Sequence, residues 1–152
     1  MLEYKLDAAT RSFWLALGLN FVWINVSEVL RYFLVILPKL RSTFPHDAGI
    51  GAITPEIFAS WMIWDTILVF AATGFYWLWF VKFRIGLTEP AKASLAFTIT
   101  VFGLLWLGVV NMGLAPPSFI VAALPLAWGE QFVAALLTYW STQRLEVCPR
   151  HP

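Results

Sequence analysis

Ionisable and thiol side chains are scarce in this sequence, and their scarcity excludes several classes of protein. Charged residues make up only 12% of the 152 residues, and a net charge of +1 provides no basic face for nucleic acid. The single cysteine, Cys148, excludes an intrachain disulfide and a thiolate metal cluster. The two histidines, His46 and His151, lie outside the apolar segments, so haem ligation by two histidines inside a bundle is excluded. No glycine-rich phosphate loop is present, and we predict neither a cofactor nor a metal site.

Apolar side chains, by contrast, are far more frequent than in a soluble domain. They form 60% of the chain, whereas soluble domains contain about 45–50%. The apolar segments are about 20–25 residues long, which is the length that an α-helix needs to cross a bilayer. The sequence therefore predicts an all-α integral membrane protein with a single transmembrane domain, residues 1–152.

Four transmembrane helices are predicted, near residues 13–37, 56–80, 91–114 and 118–140. Pro38 is expected to end the first helix, because a proline removes a helical hydrogen bond. The segment Thr54-Pro55-Glu56 is typical of a helix start, with an N-cap, a proline and an acid in the first turn. A tight turn at 115–118 makes the third and fourth helices antiparallel neighbours. We expect an up-down four-helix bundle.

Two details of helix packing follow from residue type. Gly103 and Gly108 in the third helix are expected to permit close approach of a neighbouring helix. Tyr76, together with Trp77 and Trp79, is expected to mark a membrane interface, where aromatic side chains are enriched.

The basic residues predict the orientation in the membrane. The loop between the first two predicted helices holds Lys39 and Arg41. Seven basic residues would share the opposite side: Lys5, Arg11, Lys82, Arg84, Lys92, Arg144 and Arg150. Because cytoplasmic loops carry an excess of lysine and arginine, both termini are expected in the cytoplasm, and a bacterial inner membrane is the expected location.

Residues 23–32 of the first helix place an amide, a carboxylate and a guanidinium inside an apolar segment. A charge at the centre of a membrane helix costs about 2.5–3.5 kcal/mol on insertion scales, so such groups need partners. Counting inward from the non-cytoplasmic ends places Glu28, Asp65 and Glu130 at a similar depth of roughly 14–19 Å. Asn25 fits the same layer, and Arg31 is expected closer to the outer surface.

These residues define a candidate site of carboxylates, amides and aromatic rings. Ten residues are assigned to it as ligand-binding or proton-linked groups: Asn25, Glu28, Arg31, Trp61, Trp64, Asp65, Asn111, Trp128, Glu130 and Gln131. Carboxylates next to aromatic faces suit an organic cation. The alternative interpretation is that the same side chains only hydrogen-bond the helices together, with an average of about 0.6 kcal/mol for each bond.

Three carboxyl groups and one guanidinium cannot all be ionised at one depth of a membrane. We expect Glu28 to keep its charge because Arg31 lies one helical turn away, and Asp65 or Glu130 to hold a proton.

Three functions are consistent with this pattern. The first is binding or transport, with proton coupling, of a lipophilic small molecule that is cationic or isoprenoid-like. The second is an accessory or assembly subunit of a larger membrane complex. The third is a membrane-embedded isomerase for a lipid or isoprenoid, in which one acid donates a proton and another accepts it. The bilayer is the expected partner in all three, and a homodimer is left open.

In size and helix number the chain resembles two groups of four-helix membrane proteins. The small multidrug-resistance transporters bind lipophilic cations with a glutamate of the first helix and aromatic residues. By this resemblance, Glu28 would be the glutamate, and Trp61 or Trp64 would be the aromatic residue. The sterol-isomerase and sigma-2 group holds acids and tryptophan around a sterol or an amine. Neither sequence motif is present, and the intramembrane histidine of the second group is missing. The resemblance is therefore one of architecture.

Overall fold

The computed structural model describes residues 2–43, 53–83 and 86–144, with side chains from residue 7 onward. Within these ranges the chain forms four long helices and no strand. Helix α1 comprises Leu2–Arg31, a π-helical segment Tyr32–Ile36, and Leu37–Thr43; α2 is Pro55–Lys82; α3 comprises Glu89–Phe97, a π-helical segment Thr98–Gly103, and Leu104–Asn111; α4 is Ser118–Arg144. All four are long and apolar enough to cross a membrane. The prediction of an all-helical integral membrane protein with four membrane-spanning helices is confirmed at this level.

The helix ends show where local sequence signals act. The Thr54 side chain accepts a hydrogen bond of 3.4 Å from the backbone N–H of Ile57, so the predicted start of α2 is confirmed. Helix α3 ends earlier than predicted, at Asn111. Gly113 adopts a φ of +71°, and the N–H of Leu114 returns to the carbonyl of Val109 at 3.0 Å. These features form the glycine-terminated motif that closes many helices.

The expectation that Pro38 ends the first helix is wrong, because the helix continues to Thr43. A proline in a helix clashes with the carbonyl four residues earlier. The π-helical segment lies directly before it, and the N–H of Leu37 bonds to the carbonyl of Tyr32, five residues back. The wider π turn gives the proline ring room, and the helix continues past it.

Polar side chains join α1, α2 and α4 in the middle of the bundle. The Asn20 side-chain amide donates to Thr73 Oγ1 of α2 at 3.0 Å and to Thr138 Oγ1 of α4 at 2.9 Å, and all three residues are fully buried. Nearer the start of α1, Ser12 accepts a 3.0 Å hydrogen bond from the Trp77 indole. Helix α1 is therefore held to two neighbours by hydrogen bonds as well as by apolar packing.

The two halves of the bundle are packed to different extents. We call residues 7–27, 66–82, 89–103 and 131–144 the packed half, because they hold most of the core. We call residues 29–36, 55–64, 104–111 and 118–129 the open half, and none of the first three of these ranges contains a buried residue. Helix α4 contributes three buried residues to the open half: Phe119, Ala123 and Ala127.

Three acids lie at the boundary between these halves. Glu28, Asp65 and Glu130 are 7%, 3% and 5% exposed, and each separates a well-buried segment from one that is poorly buried. Near the end of α1, Lys39 connects this helix to the start of α4, because its Nζ donates a 3.0 Å hydrogen bond to the Ser118 carbonyl. The three acids are thus placed where dense packing ends, whereas the polar layer around Asn20 lies within the packed half.

Two packing expectations are wrong. Tyr76 is fully buried and donates a 2.9 Å hydrogen bond to Gln131 Oε1, so it does not mark an interface. A tyrosine can leave the interface when its hydroxyl has a buried partner. A Cβ atom at Gly108 would meet nothing within 4 Å, so no helix approaches closely there.

The layer around Asn20 provides a test of the fold. Asn20→Ala removes hydrogen bonds to two other helices and should lower the free energy of unfolding by about 1–2 kcal/mol, since membrane hydrogen bonds contribute about 0.6 kcal/mol each and a cavity is also created. Asn25→Ala is the matched control, because the Asn25 amide bonds only to the Phe21 carbonyl of its own helix. Reversible unfolding in mixed micelles should show the larger loss for Asn20→Ala, and equal losses would contradict the interhelical role.

Candidate functional site

The site is built around one arginine of α1. Arg31 Nη2 donates to Glu28 on the same helix, which forms the predicted i, i+3 pair. Arg31 Nη1 also contacts Glu130 Oε2 of α4 at 3.2 Å. Ser27 donates to the same Glu130 oxygen at 2.7 Å. One guanidinium therefore bridges two carboxylates and joins α1 to α4.

Glu130 is held from several directions. Its backbone carbonyl accepts a 2.9 Å hydrogen bond from the Trp23 indole. Its Oε1 accepts from the Gln131 amide at 3.1 Å, and Gln131 in turn accepts from the Tyr76 hydroxyl of α2. A chain of hydrogen bonds thus runs from α2 through α4 to α1, which fixes the carboxylate in one position.

Asp65 completes the group from α2. It lies close enough to Glu28 and Arg31 to interact with their charges, and its carboxyl is next to the Trp61 indole. No donor from the described part of the chain reaches its Oδ1. We call Glu28, Arg31, Asp65 and Glu130 the charged cluster. It contains three acids and one base from three helices.

A cavity of about 190 Å³ opens from the charged cluster into the open half. Glu28 and Arg31 are the charged residues of its lining. Four aromatic side chains form much of its wall: Tyr32, Trp61, Phe102 and Trp106. The rings of Tyr32 and Trp61 are 5.3 Å apart, and the Arg31 guanidinium lies 5.9 Å from the centre of the Phe102 ring. The cavity therefore combines charge with π faces, and all four helices line it.

Six of the ten candidate residues are brought together by the structure. These are Glu28, Arg31, Trp61, Asp65, Glu130 and Gln131. Although Arg31 was expected nearer the outer surface, its long side chain reaches Glu130.

The other four candidate residues lie elsewhere. Asn25 bonds to its own helix, and Asn111 is exposed at the end of α3. Trp64 and Trp128 are 43% and 40% exposed and do not line this cavity.

Sequence reasoning missed several residues of the site. Tyr32 could have been found, because it lies four residues after Glu28 and therefore on the same helix face. Phe102 and Trp106 share a face of α3 by the same spacing, but α3 has aromatic or aliphatic side chains on every face. Nothing in the sequence distinguishes the face that meets the cavity from the face that meets lipid.

Among the residues that the structure describes, no group of three or more His, Cys, Asp or Glu is arranged to hold a metal ion. His46, Cys148 and His151 lie outside the described residues, as do Arg84 and Arg150. No protein-family model matches this sequence, and no curated protein or solved structure matches the chain. The function is therefore argued from the chemistry of the site.

The bridging role of Arg31 provides a second test. Arg31→Gln leaves the carboxylates of the charged cluster without a counter-ion, and removing one member of a buried ion pair typically costs about 3–5 kcal/mol. Glu28→Gln should cost less, because Glu130 still neutralises Arg31. Detergent melting at pH 7 should place Arg31→Gln well below Glu28→Gln.

The control is Lys92→Gln, which removes an ion pair between Lys92 and Glu89. Because the Lys92 side chain is 61% exposed, this substitution should change the melting temperature very little. If Glu28→Gln melts as low as Arg31→Gln, Glu130 does not share the arginine.

Proposed function

We propose that this protein binds or transports a lipophilic small molecule whose cationic group enters the cavity beside Glu28. The observation that supports this most directly is the cavity itself, where a carboxylate is surrounded by aromatic rings. Aromatic faces attract cations by about 0.5–2 kcal/mol, most strongly where water is excluded. Glu28 supplies a carboxylate to the cavity, and Trp61 and Tyr32 provide adjacent π faces. Because Arg31 pairs with both Glu28 and Glu130, the attraction for a cation comes from the surplus negative charge of the whole charged cluster.

The charge balance of the cluster favours a cation as the ligand. Two of the three acids contact Arg31, whereas no donor of the described chain reaches Asp65 Oδ1. With three acids and one base, the cluster becomes neutral only when it also holds protons or another cation. Uncompensated charge is costly in hydrocarbon. Either a bound proton or a bound cation can compensate the surplus negative charge of the cluster, so one can replace the other. This exchange is the physical basis of the proton coupling that we propose.

The size of the cavity limits the ligand. Pockets for drug-sized molecules measure about 300–1,000 Å³, and this one measures about 190 Å³. It accommodates a small cationic group, and any larger apolar body must extend out of it. The larger body can extend out of the cavity through the open half, where the helix segments are poorly buried.

The proposed arrangement is an up-down bundle with both termini in the cytoplasm. Contacts along α1 and α2 run in opposite order, since Ser12 meets Trp77 and Tyr32 meets Trp61. Contacts along α2 and α4 run in the same order, from Tyr76 with Gln131 to Phe80 with Tyr139. Together with the excess of basic residues on one side, these contacts support an open half that faces away from the cytoplasm.

Cys148 makes this orientation testable, because it is the only cysteine of the chain. A membrane-impermeant maleimide should not label Cys148 in intact bacterial cells that express the protein, and should label it after the membrane is permeabilised. A variant with Cys148→Ser and a new cysteine at Ser42, near the end of α1, should show the reverse pattern. Labelling of Cys148 from outside would invert the proposed orientation.

Ligand binding is tested with phenyltrimethylammonium, a compact aromatic cation. The protein in phosphatidylcholine nanodiscs should bind it, and Glu28→Gln should weaken binding about tenfold or more, equivalent to about 1.4 kcal/mol. Glu56→Gln is the control, since Glu56 is exposed in the first turn of α2 and does not line the cavity. Equilibrium dialysis against empty nanodiscs measures both.

Equal affinities in Glu28→Gln and Glu56→Gln would contradict the proposed site. Extraction of the protein only within a larger complex, with no binding of the cation, would instead favour the accessory-subunit function.

A further inference from the structure

A second and larger cavity lies between α3 and α4 on the outside of the bundle. It is a groove of about 520 Å³ whose lining is almost entirely apolar. On α3 it extends from Leu95 to Leu107, and α4 contributes Leu124 and Trp128 to its other side. Twelve residues of helix correspond to about 18 Å, so the groove is long enough for an extended hydrocarbon chain. Only a small part of its surface is polar, which leaves little for a head group to bind.

This groove and the polar cavity lie on opposite sides of the same helix contact. Consecutive residues of α3 face the two spaces: Phe102 lines the cavity and Gly103 the groove, then Trp106 the cavity and Leu107 the groove. Helix α4 repeats the pattern, with Ala123 and Ala127 in the cavity and Leu124 and Trp128 in the groove.

Few side chains separate the two spaces. These are mainly the Phe102 and Trp106 rings, because the facing residues of α4 are the alanines Ala123 and Ala127. Trp106 is only partly buried, although its ring packs against the core and lies 6.2 Å from the Phe119 ring; no residue of Leu104–Asn111 is fully buried. A hydrocarbon chain of a ligand could pass between α3 and α4 next to Trp106 if the Trp106 ring turned aside.

We infer that the ligand is a single-chain amphiphile, with its cationic head in the polar cavity and its hydrocarbon chain in the α3–α4 groove. The inference rests on the proposed function and adds the class of ligand. The polar cavity is too small for more than a head group, and the groove next to it is apolar and open to the membrane. Such a ligand enters sideways from the bilayer and does not need to cross the packed half.

The test uses two cations with the same head group type and different bodies. Dodecyltrimethylammonium carries a chain that would use the groove, and phenyltrimethylammonium fits the polar cavity alone. Gly103→Leu places a side chain in the groove, and its Cβ would meet only the Thr98 carbonyl at 3.8 Å, an ordinary contact. Gly108→Leu is the matched control, on the same helix but outside both spaces. Ile99→Phe is a second variant of the groove lining, so the groove can still be tested if Gly103→Leu does not fold.

In phosphatidylcholine nanodiscs, with partitioning into empty nanodiscs subtracted, Gly103→Leu and Ile99→Phe should weaken binding of the dodecyl cation about tenfold, equivalent to about 1.4 kcal/mol. Both should leave binding of the phenyl cation within about twofold, which also shows that they are folded. Gly108→Leu should change neither affinity.

Each other outcome has a definite meaning. If the phenyl cation binds but the groove variants do not affect the dodecyl cation, the inference is wrong and the groove is occupied by bulk lipid. If the groove variants instead dissociate a dimer without changing either affinity, the groove is an interface between two copies, and the inference is again overturned. If neither cation binds the parent protein, the proposed function itself fails.

Discussion

The rest of the structure depends on the ion pairs that one arginine forms inside the bundle of apolar helices. Arg31 contacts Glu28 on its own helix and Glu130 on α4, so the same group that solves a local electrostatic problem also connects two helices. A local pair alone would have left Glu130 as a buried acid with hydrogen-bond partners but no counter-ion. Since a charge in hydrocarbon needs a partner, the position of Arg31 determines which faces of α1 and α4 must meet.

Dense packing and polar function occupy different levels of the bundle. Below the charged cluster, the layer around Asn20 joins three helices through fully buried side chains, and this level has the character of a scaffold. On the other side of the cluster, residues 55–64 of α2 and the second half of α3 contain no buried residue. A site at the boundary is held rigidly from one side and is accessible from the other, which is the combination that a binding site requires.

The sequence was informative where a local rule controls the structure and uninformative where tertiary contacts decide. Membrane-spanning lengths, the cap at Thr54 and the pairing of Glu28 with Arg31 all follow from spacing within one segment. The continuation past Pro38 could not be predicted, because it depends on a π turn that no residue pattern marks. Tyr76 was misplaced because its partner lies on another helix, 55 positions away. The second contact of Arg31 was missed for the same reason.

The π-helical segments Tyr32–Ile36 and Thr98–Gly103 both border the polar cavity, through Tyr32 and Phe102. A π turn holds one residue more than the corresponding α turn, and each residue of a helix advances the side-chain direction by about 100°. Deletion of one residue from either segment would therefore convert the π turn into an ordinary α turn, which changes the side chains that the segment presents to the cavity while the helix beyond it keeps its direction. A deletion within either segment should therefore alter the cavity wall locally, whereas a deletion in a regular α turn of the same helix would rotate every side chain that follows it.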